Sequence, residues 1–592
     1  MKKLVLLLMC ICLVGCTADN SGSASVETTA VTTTVAETTT ASETTVVTTI
    51  TTEETTTVPE TTVVTTTAAE TTAPETTVAT TTTAETTTTV ETTTAATTAA
   101  ATTTVTTTAA TTAATTTAKA ETAKQASKGK ATVFEAEDAV LYGGLKAEAV
   151  DGFSGGEGVG TFSDQKQYIE FAVNIKETGM YNLTFTGKGI GSDKDNNINV
   201  DGKNVGSVKH LNEKKSDSTV TNVMLDKGEH KITVTSSWGW IYLDKMSLEA
   251  AKGISEEIYK VSPELINPNA TAETKALFRF LCDNYGKKII SGQVCDYGVN
   301  GPEFKAIKAE TGKYPAMLGL DMMDYAPSRT ELGAKGSSVD VAIDFSNQQG
   351  GIVNYCWHWN APTEYLKDGK DENGNPRWWG GFYTRNTDFD IAKVMDGKDP
   401  EGKKLLDRDI AEIAKQLNKL EDEGVPVLWR PLHEASGGWF WWGAKGADAY
   451  KKLWVYLYDQ LTNVYGCNNL IWVYNGQSAD WYPGDKYVDI IGEDIYTDKH
   501  NYQPQTSKFA EAVGYSKENK IVALTENGVL FDADDAFAAN SKWAWFNTWC
   551  GDFVVKNSKY NEEYTEKDML KEVYASDKVL TLDELPDLKN YK

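Results

Sequence analysis

Residues 409–434 read DIAEIAKQLNKLEDEGVPVLWRPLHE. The first sixteen place apolar side chains at Ile410, Ile413, Ala414, Leu417 and Leu420. Steps of three and four put these on one face of a helix, and Gly424 ends it. VPVLWRPLH follows at once as a short apolar run of the kind that forms a buried strand. A helix that leads straight into a buried strand is the repeating unit of an alternating α/β fold. Working outward, similar apolar runs recur as KIISGQ, PAMLGLD, GGIVNYCWH, NLIWVYN, VDIIGEDIY, KIVALTEN and WAWFNTW, with amphipathic intervals between many of them. Eight such runs over about 340 residues predict a (β/α)8 barrel spanning 254–592. The longest gap, Asn360 to about Leu406, holds RWWGGFYTRNTDFD and is expected over the mouth of the barrel.

Upstream, residues 131–250 read as all-β. TVFEAEDAV, YIEFAVNI, YNLTFTG, NINVDG, HKITVTS and WIYLDKMSLEA alternate in polarity and are separated by Gly, Asn and Asp turns, the pattern of a β-sandwich. Glu135 and Glu137 share one strand face, and Asp244 joins them if the first and last strands pair. Three hard oxygen donors favour calcium, while solvated edge charges give the same pattern. FEAED, GFSGGEGVG and SSWGWIYLDKMSLEA together resemble a family 35 carbohydrate-binding module across the whole unit. That resemblance implies a structural calcium on Glu135, Glu137 and Asp244. It also implies sugar binding at one end of the sandwich, with Trp238 or Trp240 as platforms. Period-two alternation alone places Trp238, Trp240 and Tyr242 on one face, which suits a core equally well.

The N-terminal segment 1–16, MKKLVLLLMCICLVGC, has two lysines and an apolar stretch too short to span a bilayer, so it reads as an export signal. The small residue before Cys16 resembles a bacterial lipoprotein cleavage site, with Cys16 as the lipidated residue. Residues 17–128 are almost wholly Thr, Ala, Glu and Val, with no aromatic side chain and no apolar stripe. Such a tract lacks the buried surface to offset its ordering entropy and is expected to be a disordered linker. The expected location is extracellular, tethered to the cell surface, with contact to the membrane only through the N-terminal lipid.

Charge narrows the partners. The chain carries 83 acidic against 57 basic residues, a net charge of −26, which disfavours nucleic acid. Sixteen Trp and 26 Tyr supply flat rings suited to sugar faces. The cysteines beyond Cys16 (Cys282, Cys295, Cys356, Cys467 and Cys550) are odd in number and widely spaced, so they imply neither a disulfide framework nor a metal site. No oligomer signal is visible, and a monomer is expected.

Barrel enzymes carry their functional groups where strands end. Those ends offer Gln293, Asp321, His358, His433, Glu434, Asn475, Glu493 to Tyr496, Glu526 and Trp549. Glu434 precedes a run of indoles, a setting that raises a carboxyl pKa. Glu526 lies between Thr525 and Asn527, where a polar turn is expected to keep it ionised. One neutral acid and one charged carboxylate are what glycoside cleavage requires. Strand alternation puts Arg430, Leu432 and Glu434 on one side and His433 on the other, so the chain must twist or bulge if both are to reach a substrate. Glu493, Asp494 and Asp321 compete as carboxylates. No ligand spacing of a zinc site occurs, and no cofactor is expected in catalysis.

CWHWNAP, FYTRNTDFD, WRPLHEASGGWFWWG, GEDIYTD and ALTENG, in that order between about Asn267 and Asp552, resemble glycoside hydrolase family 26. The family consists largely of retaining endo-β-1,4-mannanases on a (β/α)8 barrel. The resemblance implies Glu434 as acid/base and Glu526 as nucleophile. It implies that His358, His433, Trp439 and Tyr496 line the subsites around the cleaved bond, with Trp378 or Trp379 on the rim. Many members carry Met-Asn after the acid/base, where this chain has Ala435-Ser436. The substrate implied is mannan, glucomannan or galactomannan. Two other readings remain at this stage: the same fold acting on xylan or mixed-linkage β-glucan, and a non-catalytic surface glycan-binding lipoprotein.

Overall fold

The structure is a computed structural model. It describes backbone at Val31–Thr40, Glu43–Thr52 and Thr62–Val64, and residues 131–164, 166–236 and 239–592 with side chains. Residues 1–16, including Cys16, most of 17–128, and Trp238 lie outside these. The three short segments within the threonine-rich tract pair antiparallel, where no regular structure is expected. Their density of β-branched Thr and Val favours extended backbone.

Residues 132–250 form two antiparallel sheets. One runs in the order Lys203–His210, Lys194–Val200, Gly228–Ser236, Tyr168–Ile175, Val140–Leu141. The other runs Ser216–Leu225, Gly179–Gly189, Ile241–Ala250, Glu157–Gly160, Lys146–Ala149, and Thr132–Glu135 pairs with Ile241–Ala250. First and last strands therefore meet, with Glu135 opposite Lys245. Alternation builds the core: Ile169, Phe171, Val173 and Ile175 face Leu183, Phe185, Met246 and Leu248 between the sheets. Lys203–His210 and Ser216–Leu225 escape the sequence reading because their alternation is built on Thr, Ser and Lys.

The eight apolar runs form the predicted barrel. Its strands are β1 (Ile289–Val294), β2 (Met317–Asp321), β3 (Ile352–Trp357), β4 (Val427–Pro431), β5 (Leu470–Tyr474), β6 (Ile490–Ile495), β7 (Ile521–Asn527) and β8 (Trp545–Thr548). All pair parallel in chain order, and β1 pairs with both β2 and β8, closing the ring. β3, β4, β5 and β7 are buried along their whole length, as strands covered on both faces must be. The helix Pro400–Asp422 buries Leu406, Ile410, Ile413, Ala414, Leu417 and Leu420 against the barrel. Each fully buried Leu or Ile there contributes about 1.5–3 kcal/mol. Asp399 caps its N-terminus by accepting from the Gly402 N–H at 2.9 Å.

Inside the barrel, β1 and β2 each need a glycine facing β8. A Cβ on Gly319 would lie 2.6 Å from Asn547 Nδ2 and 2.8 Å from Val294 Cγ2. One on Gly292 would lie 2.5 Å from Phe546 O. Without side chains at these two positions, Asn547 fills the ring.

The sandwich and barrel touch through the helix Thr506–Val513, which packs on Ser216–Leu225. The Thr221 N–H donates to Ser507 Oγ at 3.2 Å, and Asn501 Nδ2 to Asn204 O at 2.9 Å. The connecting segment is pinned to the barrel by Asn540, which donates to Ile254 O, and by Asn519, which donates to Glu257 O.

Candidate active site

The chain breaks regular strand geometry at two places, and each delivers a carboxylate. β4 stops at Pro431, and Leu432 (φ 55°) and Glu434 (φ 52°, ψ 29°) both adopt left-handed backbone. Such residues cost about 1–3 kcal/mol each and persist only when their surroundings hold them. Here the Glu434 N–H donates to Asn475 O at 2.7 Å, and the Trp442 indole donates to His433 O at 2.8 Å. The double turn is the twist that alternation demanded, and His433 and Glu434 both reach the cleft wall. On β7, Glu493 of β6 pairs with Leu524 but Asp494 pairs with Glu526. Thr525 is thus an extra residue, a bulge that re-aims its neighbour.

Glu434, Asp494 and Glu526 meet as a result. One carboxylate oxygen from each lies within 4.8 Å of those of the other two. A single guanidinium answers them. Arg430, 2 % exposed, ion-pairs with Glu526 and lies 2.7 Å from Asp494 Oδ2, while also donating to Asn475 Oδ1 at 3.0 Å. The Tyr496 hydroxyl donates to the other Glu526 oxygen at 2.7 Å, and the Thr525 hydroxyl donates to Asp494 Oδ1 at 2.7 Å. Among the described residues Glu434 has no cationic partner at hydrogen-bonding distance; its Oε2 accepts from the Trp439 indole at 3.0 Å.

Electrostatics follow from that asymmetry. Burial, then the charges of Asp494 and Glu526, push the Glu434 carboxyl well above the ordinary range, against smaller lowering by Trp439 and Arg430. Burial also raises Asp494, to about 7, with Arg430 opposing and Glu526 reinforcing. Glu526 differs from expectation. It lies in no polar turn but in a strand buried along its length, and its partners are Arg430 and Tyr496.

The predicted binding residues separate into a wall and a rim. His358 and His433 are buried, with their Nε2 atoms 3.1 Å apart. Phe382 and Phe440 pack against His358 at ring-centroid distances of 4.9 and 5.6 Å. Trp439 is 44 % exposed and lies over Gly437, where a Cβ would fall 2.0 Å from the ring. The Gly-Gly before it is therefore a bed for an indole that remains open to a ligand. Trp378 and Trp379 stand half-exposed in the long loop, edge to face at 6.2 Å. Arg329 holds them: it donates to Trp379 O at 2.9 Å, and its guanidinium lies 5.4 Å from the centre of the Trp378 ring.

Sequence reasoning placed Asn475 at a strand end without giving it a role, gave Arg430 and Thr525 none, and gave Asp494 a minor place. One signal was available: an arginine inside the apolar run VPVLWRPLH has to find carboxylates. Glu493, which the sequence set beside Asp494 as a competing carboxylate, points out of the barrel; burial raises it to about 8, and Lys508 is the largest opposing influence.

In the sandwich, Trp240 (φ 24°) precedes the strand and is 52 % exposed, so it shares no regular face with Tyr242. Asp244 is the extra residue of a bulge between Leu243 and Lys245 and is fully buried. Ser154 Oγ lies 2.7 Å from Glu135 Oε2 and 2.6 Å from Asp244 Oδ1, and a Cβ on Gly155 would lie 3.3 Å from Glu137 Oε1. Lys215 Nζ is 2.8 Å from Asp244 Oδ2, while Glu137 Oε2 is buried with no hydrogen-bond partner.

Residues 266–584 match the model of glycosyl hydrolase family 26, and 132–251 that of carbohydrate binding module family 35. The mannan endo-1,4-β-mannosidase of Thermothelomyces thermophilus is 40 % identical over 77 % of this chain and 90 % of its own. Mannan endo-1,4-β-mannosidase B of Piromyces sp. is 34 % identical over 77 % and 78 %. The crystal structure of a Podospora anserina GH26-CBM35 β-(1,4)-mannanase aligns with a TM-score of 0.53 at 38 % identity, over 78 % of this chain and 99 % of that one.

Asp494→Asn removes a negative neighbour of Glu434 and leaves Arg430 less compensated, and both effects lower the Glu434 pKa. Isotope-edited carboxyl NMR is expected to show that pKa falling by about 1 pH unit or more. An unchanged or higher value would contradict the stated balance.

Proposed function

The chain belongs to glycosyl hydrolase family 26 and is an endo-β-1,4-mannanase, and on that premise we propose that it cleaves by double displacement with retention at the anomeric carbon. A Glu526 oxygen attacks the anomeric carbon while the glycosidic C–O bond breaks, and the departing oxygen takes the Glu434 proton. Glu434, now a carboxylate, removes a proton from water; the water oxygen displaces Glu526, and Glu434 is again protonated. The observation that carries this reading is the approach of the two carboxyl groups to within 4.8 Å at their nearest oxygens. Inversion needs the wider gap, about 6.5–9.5 Å, that leaves room for water. Arg430 and Tyr496 each engage one oxygen of Glu526 and orient it for attack, and the raised Glu434 keeps its proton until needed. His358, His433, Trp439 and Tyr496 would contact the sugars beside the cleaved bond, with Trp378 and Trp379 further along the rim. A polysaccharide substrate is consistent with both family matches, and the catalysis needs no cofactor.

NMR of the first product should show the β-anomer. Glu434→Ala should spare the first step for substrates with very good leaving groups, whereas Glu526→Ala should abolish turnover of all. An α-anomer first product, or equal losses on both kinds of substrate, would sink the mechanism.

The sandwich would hold mannan near the cleft, with Trp240 as one platform. Its hard-oxygen cluster fits a divalent cation. Glu135, Glu137 and Asp244 gather around Ser154 and Gly155, the buried Glu137 Oε2 lacks a hydrogen-bond partner, and Lys215 and Lys245 offset part of the charge. Calcium there would join the first and last strands. Chelation should lower the unfolding midpoint of the native chain, and Asp244→Asn should remove that sensitivity; a midpoint indifferent to chelator would argue against the site.

Export and tethering would come from residues 1–16, with lipid on Cys16 and the threonine-rich tract as spacer. The short apolar run ending in Leu-Val-Gly-Cys supports this. Labelled palmitate should enter the chain in cells and fail to enter Cys16→Ala; label retained in that variant would exclude the anchor.

A further inference from the structure

Three side chains at successive strand ends form a relay that the reaction scheme leaves unused. Asp321 closes β2, His358 follows β3 and His433 follows β4. Asp321 Oδ2 lies 2.6 Å from His358 Nδ1, and Asp321 Oδ1 accepts the backbone N–H groups of His358 at 3.1 Å and Met323 at 2.9 Å. A carboxylate can only accept, so His358 carries a proton on Nδ1. Its Nε2 then lies 3.1 Å from His433 Nε2, a gap that holds one proton.

Burial, with Arg430 nearby, keeps His433 uncharged. Its Nδ1 is buried with no hydrogen-bond partner, so the one proton of the neutral ring goes on Nε2, where His358 accepts it. Burial would raise the Asp321 carboxyl, but its contacts with His358 outweigh this and leave it below the usual value, an anion. The other ionisable groups around the relay are Cys356, whose Sγ is 3.9 Å from His358 Nδ1, and Asp296 and Asp324, whose carboxyls feel the Asp321 charge.

What the relay fixes is the approach to Glu434. His433 is its peptide neighbour, between the two left-handed residues. The His433 carbonyl is held by Trp442, the Glu434 N–H by Asn475, and the His433 ring by His358. Released from His358, the ring would be free to turn, and with it the peptide plane that aims the glutamate. We propose that Asp321 is a positioning residue for the proton donor: through the tautomers of His358 and His433 it holds the turn that points Glu434 at the glycosidic oxygen. This rests on the reading of Glu434 as the acid.

An asparagine of the same shape cannot do this. With its NH₂ toward His358 Nδ1, it forces the His358 proton onto Nε2, facing the N–H of His433. Relief would require His433 to move its proton to Nδ1, which is buried with no hydrogen-bond partner. With its oxygen toward Nδ1 instead, its NH₂ opposes the two backbone N–H groups.

The test compares kcat/KM of the full chain on β-1,4-mannan and on a dinitrophenyl β-mannobioside, whose leaving group needs little protonation. Asp321→Asn is expected to lose about ten- to hundredfold on mannan, the range for partners that orient a functional histidine, and at most about threefold on the aryl substrate. Asp321→Glu should recover part of the loss and, if Asp321→Asn does not fold, carries the same comparison. Equal losses on both substrates, or undiminished mannan hydrolysis, would overturn the proposal. Glu434→Gln, measured alongside, separates the two ideas. If it shows the leaving-group gap and the Asp321 variants do not, only the relay fails; if it shows none, the assignment of the acid fails first.

Discussion

A guanidinium buried between two carboxylates is the constraint on which the catalytic end of this barrel depends. Arg430 lies in a strand buried along its length and bridges Asp494 of β6 and Glu526 of β7, so one side chain of β4 reaches past β5 to tie three strands together. Desolvating a charge is expensive unless it is paired and fully hydrogen-bonded, and removing one partner of such a pair costs about 3–5 kcal/mol. The arrangement is therefore obligatory in both directions. Arg430 cannot stay buried without the two acids, and the acids cannot both ionise without Arg430. Asn475 and Thr525 complete the set by taking donors and acceptors that the ion pair leaves over.

Charge counting then separates the carboxyl groups without further assumption. Three acids share one cation, and the cation touches two of them. Glu434 is left with an indole N–H and two negative neighbours, so it keeps its proton. The inequality between Glu434 and Glu526 thus arises less from how deeply each is buried than from which of them Arg430 reaches. Trp439, half in solvent on its bed of Gly437, donates to the Glu434 carboxyl and steadies it without neutralising it.

Much of this was legible from residues alone, and what was not has definable causes. The eight strands announced themselves because parallel strands covered on both faces must be continuously apolar. Asp409–Gly424 announced its helix through spacing. The two glutamates stood out because strand ends of a barrel converge. The sequence reading expected a polar turn around Glu526, whereas its partner is Arg430 from another strand, a contact between residues 96 positions apart that no local pattern encodes. Asp494 was undervalued for the same reason: its importance lies in the bulge at Thr525, which sets it opposite Glu526, and bulges leave no mark on alternation. In the sandwich, Lys203–His210 and Ser216–Leu225 were missed because polar β-branched and lysine-rich strands look like turns to a reading based on apolar periodicity.

The irregularities share one logic. Parallel barrel strands alternate side chains between the interior and the surrounding helices, so a regular strand end can present only every second residue to the cleft. The catalytic end needs more groups than that rule supplies. Two left-handed residues after β4 bring both His433 and Glu434 to the wall, and an extra residue in β7 lets Thr525 and Glu526 both meet Asp494. The left-handed residues strain the backbone locally, and their turn is braced from the adjoining strand by Asn475 O, which accepts the Glu434 N–H. Regular geometry supplies the rigid frame, while the departures from it decide which side chains face the sugar. The same division appears in the sandwich, where a bulge in an otherwise regular strand turns Asp244 inward to meet Ser154. In both modules the carboxylates that matter lie where the alternation of the strand has been broken.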